Sequence, residues 1–442
     1  MVSWLFLIAA LWGASWTVIS YRPPHRPPVI MGIGFFAAWS TTELAPVHIL
    51  WQFVGVAVFV WFGALESWVG WVALAITLVS WIALAVSVKG SLQTEQVFVD
   101  ALRRGLGDGW DRNLEPGLRA SSRHVSWTRI LLPFRFKRAG VRRTKNIQYV
   151  DDGSRRHRLD VYRHKGTRAT APVLLQIHGG GWMIGNKDQQ GLPLMYHLAS
   201  QGWVCVAINY RLSPKATWPD HLVDCKRALA WIREHISEYG GDPEYVVVTG
   251  GSAGGHLTAM MGLTANDPQY QPGFEDADTT VRAMIPFYGV FDWTGSTNKR
   301  DNGLREALER YIVKKPLDEA RDVYISASPM FRITEDAPRA LIVHGDHDTL
   351  APIEQARAFV DRLRDISRRD VVYVELRGAH HAFEVFNSIR TMHAIAGVSL
   401  YLSWLRSVDR PGSRSGDAAG PRDSAATELP ATGPKSTVRT ER

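Results

Sequence analysis

Residues 246–256 read Val-Val-Val-Thr-Gly-Gly-Ser-Ala-Gly-Gly-His, and this stretch decides the fold. A run of β-branched residues, typical of a buried strand, meets Gly-x-Ser-x-Gly, and the helix-forming segment 257–263 follows at once. Glycine on both sides of the serine permits a turn so tight that the Ser252 hydroxyl projects from the strand–helix junction. We interpret the stretch as a nucleophile elbow. Taken alone, the motif fits an ordinary glycine-rich loop equally well, so the rest of the chain has to decide.

The composition divides the chain into an apolar N-terminal region and a remainder of ordinary polarity. Residues 1–88 carry four charged side chains but nine of the seventeen tryptophans. The net charge of +8 comes without a basic helix or an RNA-binding signature, which disfavours nucleic acid as a partner and favours anionic lipid. The only cysteines, Cys205 and Cys225, indicate neither a metal site nor a disulfide framework.

Residues 1–89 are predicted to form a multi-span transmembrane region. The apolar segments 3–20, 29–45, 47–65 and 68–88 are the candidate spans, since crossing a bilayer takes about 20 residues. The segment 29–45 is the weakest, so three spans are the alternative count. A cleavable signal peptide is disfavoured because no basic residues precede the first segment and further apolar segments follow it. Glu43, close to Pro46, is expected in a short interfacial loop.

The orientation of these spans in the cell membrane stays open. Arg22 and Arg26 favour a cytoplasmic first loop, which with four spans places the C-terminal domain outside. Lys89, Arg103 and Arg104 follow the last span and favour the opposite arrangement.

Residues 90–145 are expected to form a helical connector that can cover the catalytic face. Its last part, residues 135–145, contains six positive charges, which suits either a solvated surface or contact with anionic lipid head groups.

From residue 146 to 408 predicted strands and helices alternate, which indicates an α/β domain with a mostly parallel sheet flanked by helices. Residues 294–337 interrupt the alternation, as a lid insertion would. Residues 409–442 contain no aromatic residue and are expected to be a disordered tail.

A second glycine-rich stretch, His178-Gly179-Gly180-Gly181-Trp182, follows another predicted buried strand. Acyl transfer develops negative charge on a carbonyl oxygen, and backbone N–H groups held in place stabilise that charge. Consecutive glycines let the backbone approach such an oxygen closely. A phosphate-binding loop would require Lys-Ser/Thr after the glycines, and none is present.

A serine nucleophile needs a base and an orienting carboxylate, in the chain order Ser, Asp, His for this architecture. The stretch His344-Gly-Asp-His-Asp offers Asp348 and, as its rival, Asp346. The stretch Arg377-Gly-Ala-His-His-Ala-Phe follows the last predicted strand and supplies the base. On composition alone either His380 or His381 could serve.

The combination of HGGGW, GGSAGG, HGDHD and HHAF resembles the α/β-hydrolase carboxylesterases of the hormone-sensitive-lipase type. With its multi-span N-terminus, the chain is similar to the membrane-bound Lip-type esterases of actinobacteria. The similarity covers about residues 146–406 and implies an α/β-hydrolase fold. It also implies Ser252 as nucleophile, Asp348 and His381 as its triad partners, and Gly180, Gly181 and Ala253 as oxyanion-hole donors. One departure is Gly251, where the family usually has an acidic residue.

The resemblance implies a membrane-anchored serine carboxylesterase or lipase that hydrolyses lipid or short-to-medium acyl esters and contacts membrane lipids. No metal or organic cofactor is expected, and the oligomeric state stays open. An amidase or peptidase on the same scaffold is the alternative, and a non-catalytic binding protein is a third reading. Because residues 1–89 contain none of the implied site residues, the remainder is expected to fold and hydrolyse soluble esters without them.

Overall fold

The computed structural model of the protein describes residues 1–24, 28–112, 114, 125–167, 169–297 and 303–409. The predicted disordered tail lies outside these ranges, except for its first residue. Within them, the N-terminal region consists of the helices α1 (Val2–Tyr21), α2 (Pro28–Glu43), α3 (Ala45–Trp61) and α4 (Trp68–Leu92).

These helices leave large apolar side chains uncovered. Trp12 and Val79, for example, are 67% and 68% exposed. Where α1 meets α4, the contact includes a hydrogen bond between the hydroxyls of Thr17 and Ser80, at 2.7 Å. Apolar surface of this extent is rare on soluble domains, so the pattern suggests membrane association.

The described residues contain two helices long and apolar enough to cross a membrane, α1 and the helical run from Trp68 to Leu106. Helices α2 and α3 pass the same test only as a pair and meet at an angle of 87°. The bend lies at Leu44, where Pro46 in the first turn of α3 cannot continue the preceding helix. The described residues therefore contain two candidate spans, or three if the bent pair is one span, and three is the alternative count given from the sequence.

Glu43 does not lie in an interfacial loop, and that prediction is wrong. It is the last residue of α2, it is only 3% exposed, and its carboxylate pairs with Arg390. The sequence pattern misplaced it because a charged residue near a proline is more often found in a loop.

The described residues of the α/β domain form one eight-stranded sheet. Its strands are β1 (Val141–Gln148), β2 (Arg158–His164), β3 (Ala171–Ile177), β4 (Val204–Ile208), β5 (Gly241–Gly251), β6 (Ala283–Phe287), β7 (Arg339–Gly345) and β8 (Val371–Leu376). The spatial order is β1-β2-β4-β3-β5-β6-β7-β8. β1 and β2 pair antiparallel with their neighbours, and β4, β3, β5, β6, β7 and β8 run parallel, which confirms the mostly parallel sheet.

The sheet starts earlier than the boundary placed at residue 146. Val141 to Thr144, within the basic segment, already pair with β2. The side chain of Arg143 forms an ion pair with the buried Asp160, so this arginine is not available for lipid head groups. Charged residues on an edge strand are common because they discourage pairing with other chains, and here they hid the strand from the sequence pattern.

Helices cover both faces of the sheet. The described helices of this part are α5 (Thr94–Leu106), α6 (Trp127–Leu131), α7 (Leu192–Ser200), α8 (Asp220–His235), α9 (Ala253–Leu263), α10 (Leu304–Ala307), α11 (Arg321–Ser326), α12 (Ile353–Ile366) and α13 (Ile389–Val408). Because side chains alternate along a strand, Leu174 packs on one face with α5, α7 and α13, and Leu175 packs on the other with α8, α9 and α12.

Helix α5 of the connector is therefore part of a flanking layer. A Cβ on its Gly105 would lie 2.9 Å from a methyl group of Val372, near the start of β8. The prediction of a cap in residues 90–145 stays a prediction, since much of 113–124 lies outside the described residues. The segment 294–337 runs between β6 and β7 and buries Leu308, Ile312 and Tyr324, and its lid role also stays a prediction.

Candidate active site

Ser252 stands on the tight turn between β5 and α9. Its backbone angles, φ 60° and ψ −123°, are ones that L-residues rarely adopt. The turn is held by the Ser252 amide, which donates to the carbonyl oxygen of Phe287 at 3.0 Å. Gly254 is required here because its Cβ would lie 2.2 Å from the carbonyl oxygen of Ile177. The local geometry is that of the predicted elbow, and the Ser252 side chain is partly accessible.

The loop of three glycines lies directly beside this turn. A Cβ on Gly179 would lie 3.0 Å from the Cβ of Ser252. Gly180 and Gly181 have φ angles of 111° and 58°, which favour glycine. The amides of Gly180, Gly181 and Ala253 donate no hydrogen bond to another part of the described chain. Three N–H groups next to the serine are thus available to a bound oxygen atom.

His381 is paired with Asp348. The imidazole Nδ1 lies 2.6 Å from Oδ2 of the carboxylate, whose side chain is fully buried. The other oxygen, Oδ1, accepts the amides of Leu350 and Ala351, both at 2.8 Å. Burial alone would raise the pKa of Asp348, but the charges and hydrogen bonds of His381 and His344 outweigh it, and the pKa lies well below its ordinary value. Asp348 is therefore an ionised acceptor facing the histidine.

The rival residues of the two motifs have other partners. Asp346 accepts the Gly378 amide and pairs with His347, each at 2.6 Å, so it fixes the loop backbone ahead of the histidines. His380 is buried, and its Nε2 lies 2.9 Å from the carbonyl oxygen of Ser20 at the end of α1. The structure thus brings together Asp348 and His381 and separates Asp346 and His380 from that pair.

Tyr288 lies beside both His381 and Gly251, the residue before Ser252, and among the described residues no direct hydrogen bond joins Ser252 to His381. The Tyr288 ring lies 4.6 Å from the imidazole, centre to centre. Its hydroxyl occupies the space beside Gly251, the residue before the serine. In unliganded sites the bond from nucleophile to base is commonly long and tightens when substrate binds.

Tyr288 and Glu384, which were not predicted from the sequence, complete this side of the site. The Tyr288 hydroxyl donates to the carboxylate of Glu384, which is buried three residues after His381. Burial raises the pKa of Glu384. The departure at Gly251 now has a physical reason, because a Cβ there would lie 2.4 Å from the Tyr288 oxygen. The glutamate follows His381 in the HHAFE stretch, but no pattern in the sequence links it to Tyr288.

Two further histidines near the turn are buried and uncharged. Burial lowers the pKa of His178 to about 4 and that of His256 to about 3. His256 receives the indole N–H of Trp182 at 3.3 Å, and its Nε2 lies 2.7 Å from the carbonyl oxygen of Ala327. These contacts give His256 a packing role. No group of three or more metal-ligating side chains is found within the described ranges.

The doubly covered, mostly parallel sheet, with a strained serine turn at one strand end and an Asp–His pair on the loops beside it, is that of the α/β-hydrolase fold. Solved esterase structures have this fold. A truncated carbohydrate esterase from gut microbiota has a TM-score of 0.53 at 23% identity and aligns over 62% of this chain and 99% of its own. Esterase Est2 of Thermogutta terrifontis has a TM-score of 0.51 at 23% identity, over 64% and 98%.

Curated relatives place the chain more closely. The Mycobacterium tuberculosis protein named "Probable carboxylic ester hydrolase LipM" is 49% identical over 275 residues, which are 62% of this chain and 64% of that protein. "Esterase LipQ" of the same organism is 42% identical over 280 residues, 62% of this chain and 65% of that protein. A family model described as BD-FAE matches residues 159–363. The chain thus spans slightly less than two thirds of either relative, and its resemblance to the Lip-type esterases is confirmed.

Proposed function

We propose that this protein is a membrane-anchored carboxylic ester hydrolase that works through Ser252, His381 and Asp348. The observation that carries the proposal is the buried Asp348–His381 pair on the loops beside the Ser252 turn and its three free amides. The names of the mycobacterial relatives support ester hydrolysis, and none of those named above favours an amidase or peptidase. The apolar helices α1 to α4 support the anchor.

The hydrogen bonds already present in the site determine which atoms take part in the reaction. Nδ1 of His381 faces Asp348, so Nε2 is the nitrogen that takes the Ser252 proton as the serine oxygen attacks the ester carbonyl. The ionised carboxylate stabilises the imidazolium. The carbonyl oxygen becomes an oxyanion and is held by the amides of Gly180, Gly181 and Ala253, where a single such donor is worth about 2.7–4 kcal/mol.

Collapse of this intermediate breaks the bond to the alcohol, which leaves with the proton from His381. The acyl group then remains on Ser252 as an ester. Water gives a proton to His381, attacks the acyl carbonyl and releases the carboxylic acid, and the serine regains its proton. Each step uses only protein groups, the ester and water.

The test uses the full-length protein in detergent micelles with p-nitrophenyl esters of acyl chains from acetate to palmitate. We expect hydrolysis by the wild type and labelling of Ser252 by a fluorophosphonate probe. Ser252→Ala should abolish both while the circular dichroism spectrum is unchanged, since loss of a nucleophile costs several orders of magnitude in rate. Labelling of the Ser252→Ala variant at the wild-type level would refute the assignment. A parallel series of p-nitroanilides tests the amidase alternative.

A further inference from the structure

The loop that carries His381 is held from outside by the apolar N-terminal helices. The indole Nε1 of Trp39, on α2, donates to the carbonyl oxygen of Ala382, the residue after His381, at 2.8 Å. The same indole packs on Phe386, with ring centres 4.7 Å apart. On the other side of His381, the carbonyl oxygen of Ser20 on α1 is 2.9 Å from Nε2 of His380. Both neighbours of His381 in the chain therefore bond to helices of the apolar region.

The end of α2 adds a buried ion pair. Glu43 is 3% exposed and Arg390 is 1% exposed, and Oε1 of Glu43 accepts from Nε of Arg390 at 2.8 Å. Oε2 accepts from the hydroxyl of Ser388, which caps the start of α13. Arg390 in turn donates to the carbonyl oxygens of Arg377 and Gly378, at 2.9 and 3.4 Å. These carbonyls begin the loop that leads to His381.

The pair ties the position of that loop to α2. A guanidinium buried to this extent is tolerated only while it is paired and hydrogen-bonded. Without Glu43, the donors of Arg390 would keep the loop carbonyls as partners but lose the carboxylate that is hydrogen-bonded to the guanidinium. The loop would then have to move to let water reach the arginine.

The imidazole itself also borders on α2. The ring of Phe35 stands edge-on to that of His381, with centres 6.2 Å apart, and stacks on Trp39 at 5.8 Å. Phe36, the next residue of α2, is exposed among the apolar side chains of the N-terminal region. The side of the base that faces α2 is therefore aromatic, and ring contacts lead from His381 through Phe35 and Trp39 to the exposed Phe36.

We propose that α2 is a working part of the catalytic site. Trp39 and Glu43 are positioning residues that hold the His381 loop, and Phe35 is the wall against which the apolar chain of an ester substrate lies. The proposal rests on the proposed ester hydrolysis. It replaces the expectation that the chain from residue 90 onward hydrolyses soluble esters unaided, because that part alone lacks every one of these contacts.

Matched tryptophan variants of the full-length protein test the positioning role. Trp81 on α4 donates its indole N–H to Gln52 on α3, within the apolar region and without a bond to the catalytic loop. Trp39→Phe and Trp81→Phe each remove one indole N–H donor and keep an aromatic ring. With p-nitrophenyl butyrate we expect Trp39→Phe to lower kcat at least fivefold, about the worth of one hydrogen bond, with KM within twofold. Trp81→Phe should match the wild type in both constants.

Glu43→Gln and Glu43→Asp provide the second measurement. We expect Glu43→Gln to lower kcat more than Trp39→Phe does, and Glu43→Asp, which restores the charge, to recover part of the loss. Active protein is counted by fluorophosphonate titration, so that misfolded molecules do not enter kcat. If Trp39→Phe is indistinguishable from Trp81→Phe, the positioning role is overturned.

Phe35→Ala and Phe53→Ala test the wall in the same way. Phe53 on α3 is exposed and packs on Trp81, a residue that does not bond to the catalytic loop. We expect Phe35→Ala to change the ratio of kcat/KM for the decanoate ester over the butyrate ester at least fivefold and Phe53→Ala to leave this ratio unchanged. Equal ratios for both variants overturn the proposed role of Phe35 as a wall of the substrate site. Failure of this inference is distinct from failure of the proposed function, in which the wild type itself would hydrolyse no ester.

Discussion

The substitution Asp348→Asn tests the site most sharply, because the two carboxylate oxygens have different partners. Oδ1 accepts two backbone amides, from Leu350 and Ala351, whereas Oδ2 faces Nδ1 of His381 at 2.6 Å and lies 3.4 Å from Nε2 of His344. An asparagine must turn its one oxygen towards the two amides. Its NH₂ group then points at Nδ1 of His381 and donates to it.

This exchange reverses the tautomer of the base. With Nδ1 accepting a hydrogen bond, the imidazole proton moves to Nε2, which can no longer take the proton of Ser252. The corresponding change in serine proteases lowers kcat by about 10⁴, or about 5.5 kcal/mol of transition-state stabilisation, and we expect a loss of this size here. The fold should survive, since both amides keep their acceptor.

The assay compares kcat of Asp348→Asn and Asp346→Asn on p-nitrophenyl butyrate, with thermal unfolding as a check on the fold. Asp346 bonds to the Gly378 amide and to His347 and does not contact His381, so Asp346→Asn should keep kcat within about tenfold of the wild type, a difference of about 1.4 kcal/mol. If Asp348→Asn stays within tenfold of the wild type, or if Asp346→Asn is the inactive variant, the tautomer argument fails.

Gly251→Ala should lower the free energy of unfolding by about 1–3 kcal/mol, because its Cβ would overlap the buried Tyr288 hydroxyl; a urea-unfolding midpoint equal to that of the wild type would show that the tyrosine has room to move. Stability should also fall in acid. Burial lowers the pKa of His178 to about 4 and of His256 to about 3, whereas unfolded histidines titrate near 6.5, so unfolding takes up protons below pH 6.5. Each of the two histidines then removes up to about 1.4 kcal/mol per pH unit between pH 6.5 and 4. Urea-unfolding midpoints at pH 7.5, 6 and 5 check this, and equal midpoints would contradict it.

The α/β domain could be read from the sequence because each of its elements has a local cause. The predicted alternation of strands and helices is present, and β-branched runs such as Val246 to Val248 lie in the middle of the sheet, buried on both faces. Asp348 was the preferred carboxylate, with Asp346 as its rival, but the choice of His381 came only from the resemblance, since composition left His380 and His381 as equals. The spacing within each motif decides between its two candidate residues, because the length of the loop determines which side chain reaches the end of the strand.

The structure of the apolar region, residues 1–89, could not be predicted from the sequence in the same way. An apolar helix that packs on a protein domain has the same composition as one that contacts lipid, so α2 was predicted only as a weak span. Its contacts with the His381 loop join residues more than three hundred positions apart, and no local pattern reports them. Glu43 was the one available signal, because a lone acidic residue in an apolar segment indicates a charged or hydrogen-bonding partner. Nothing in the sequence of helix α13 identified Arg390 as that partner.

The contact between Gly251 and Tyr288 has a consequence for how such proteins diverge. A side chain at position 251 and the tyrosine hydroxyl compete for one volume, so an acidic residue can appear beside the serine only if residue 288 becomes smaller. Glu384, which is buried, then loses the tyrosine hydroxyl as a hydrogen-bond donor. The three positions lie on separate segments of the chain and are coupled, so a chimera that exchanges one of them alone acquires either a steric overlap or a buried acid without its hydroxyl donor.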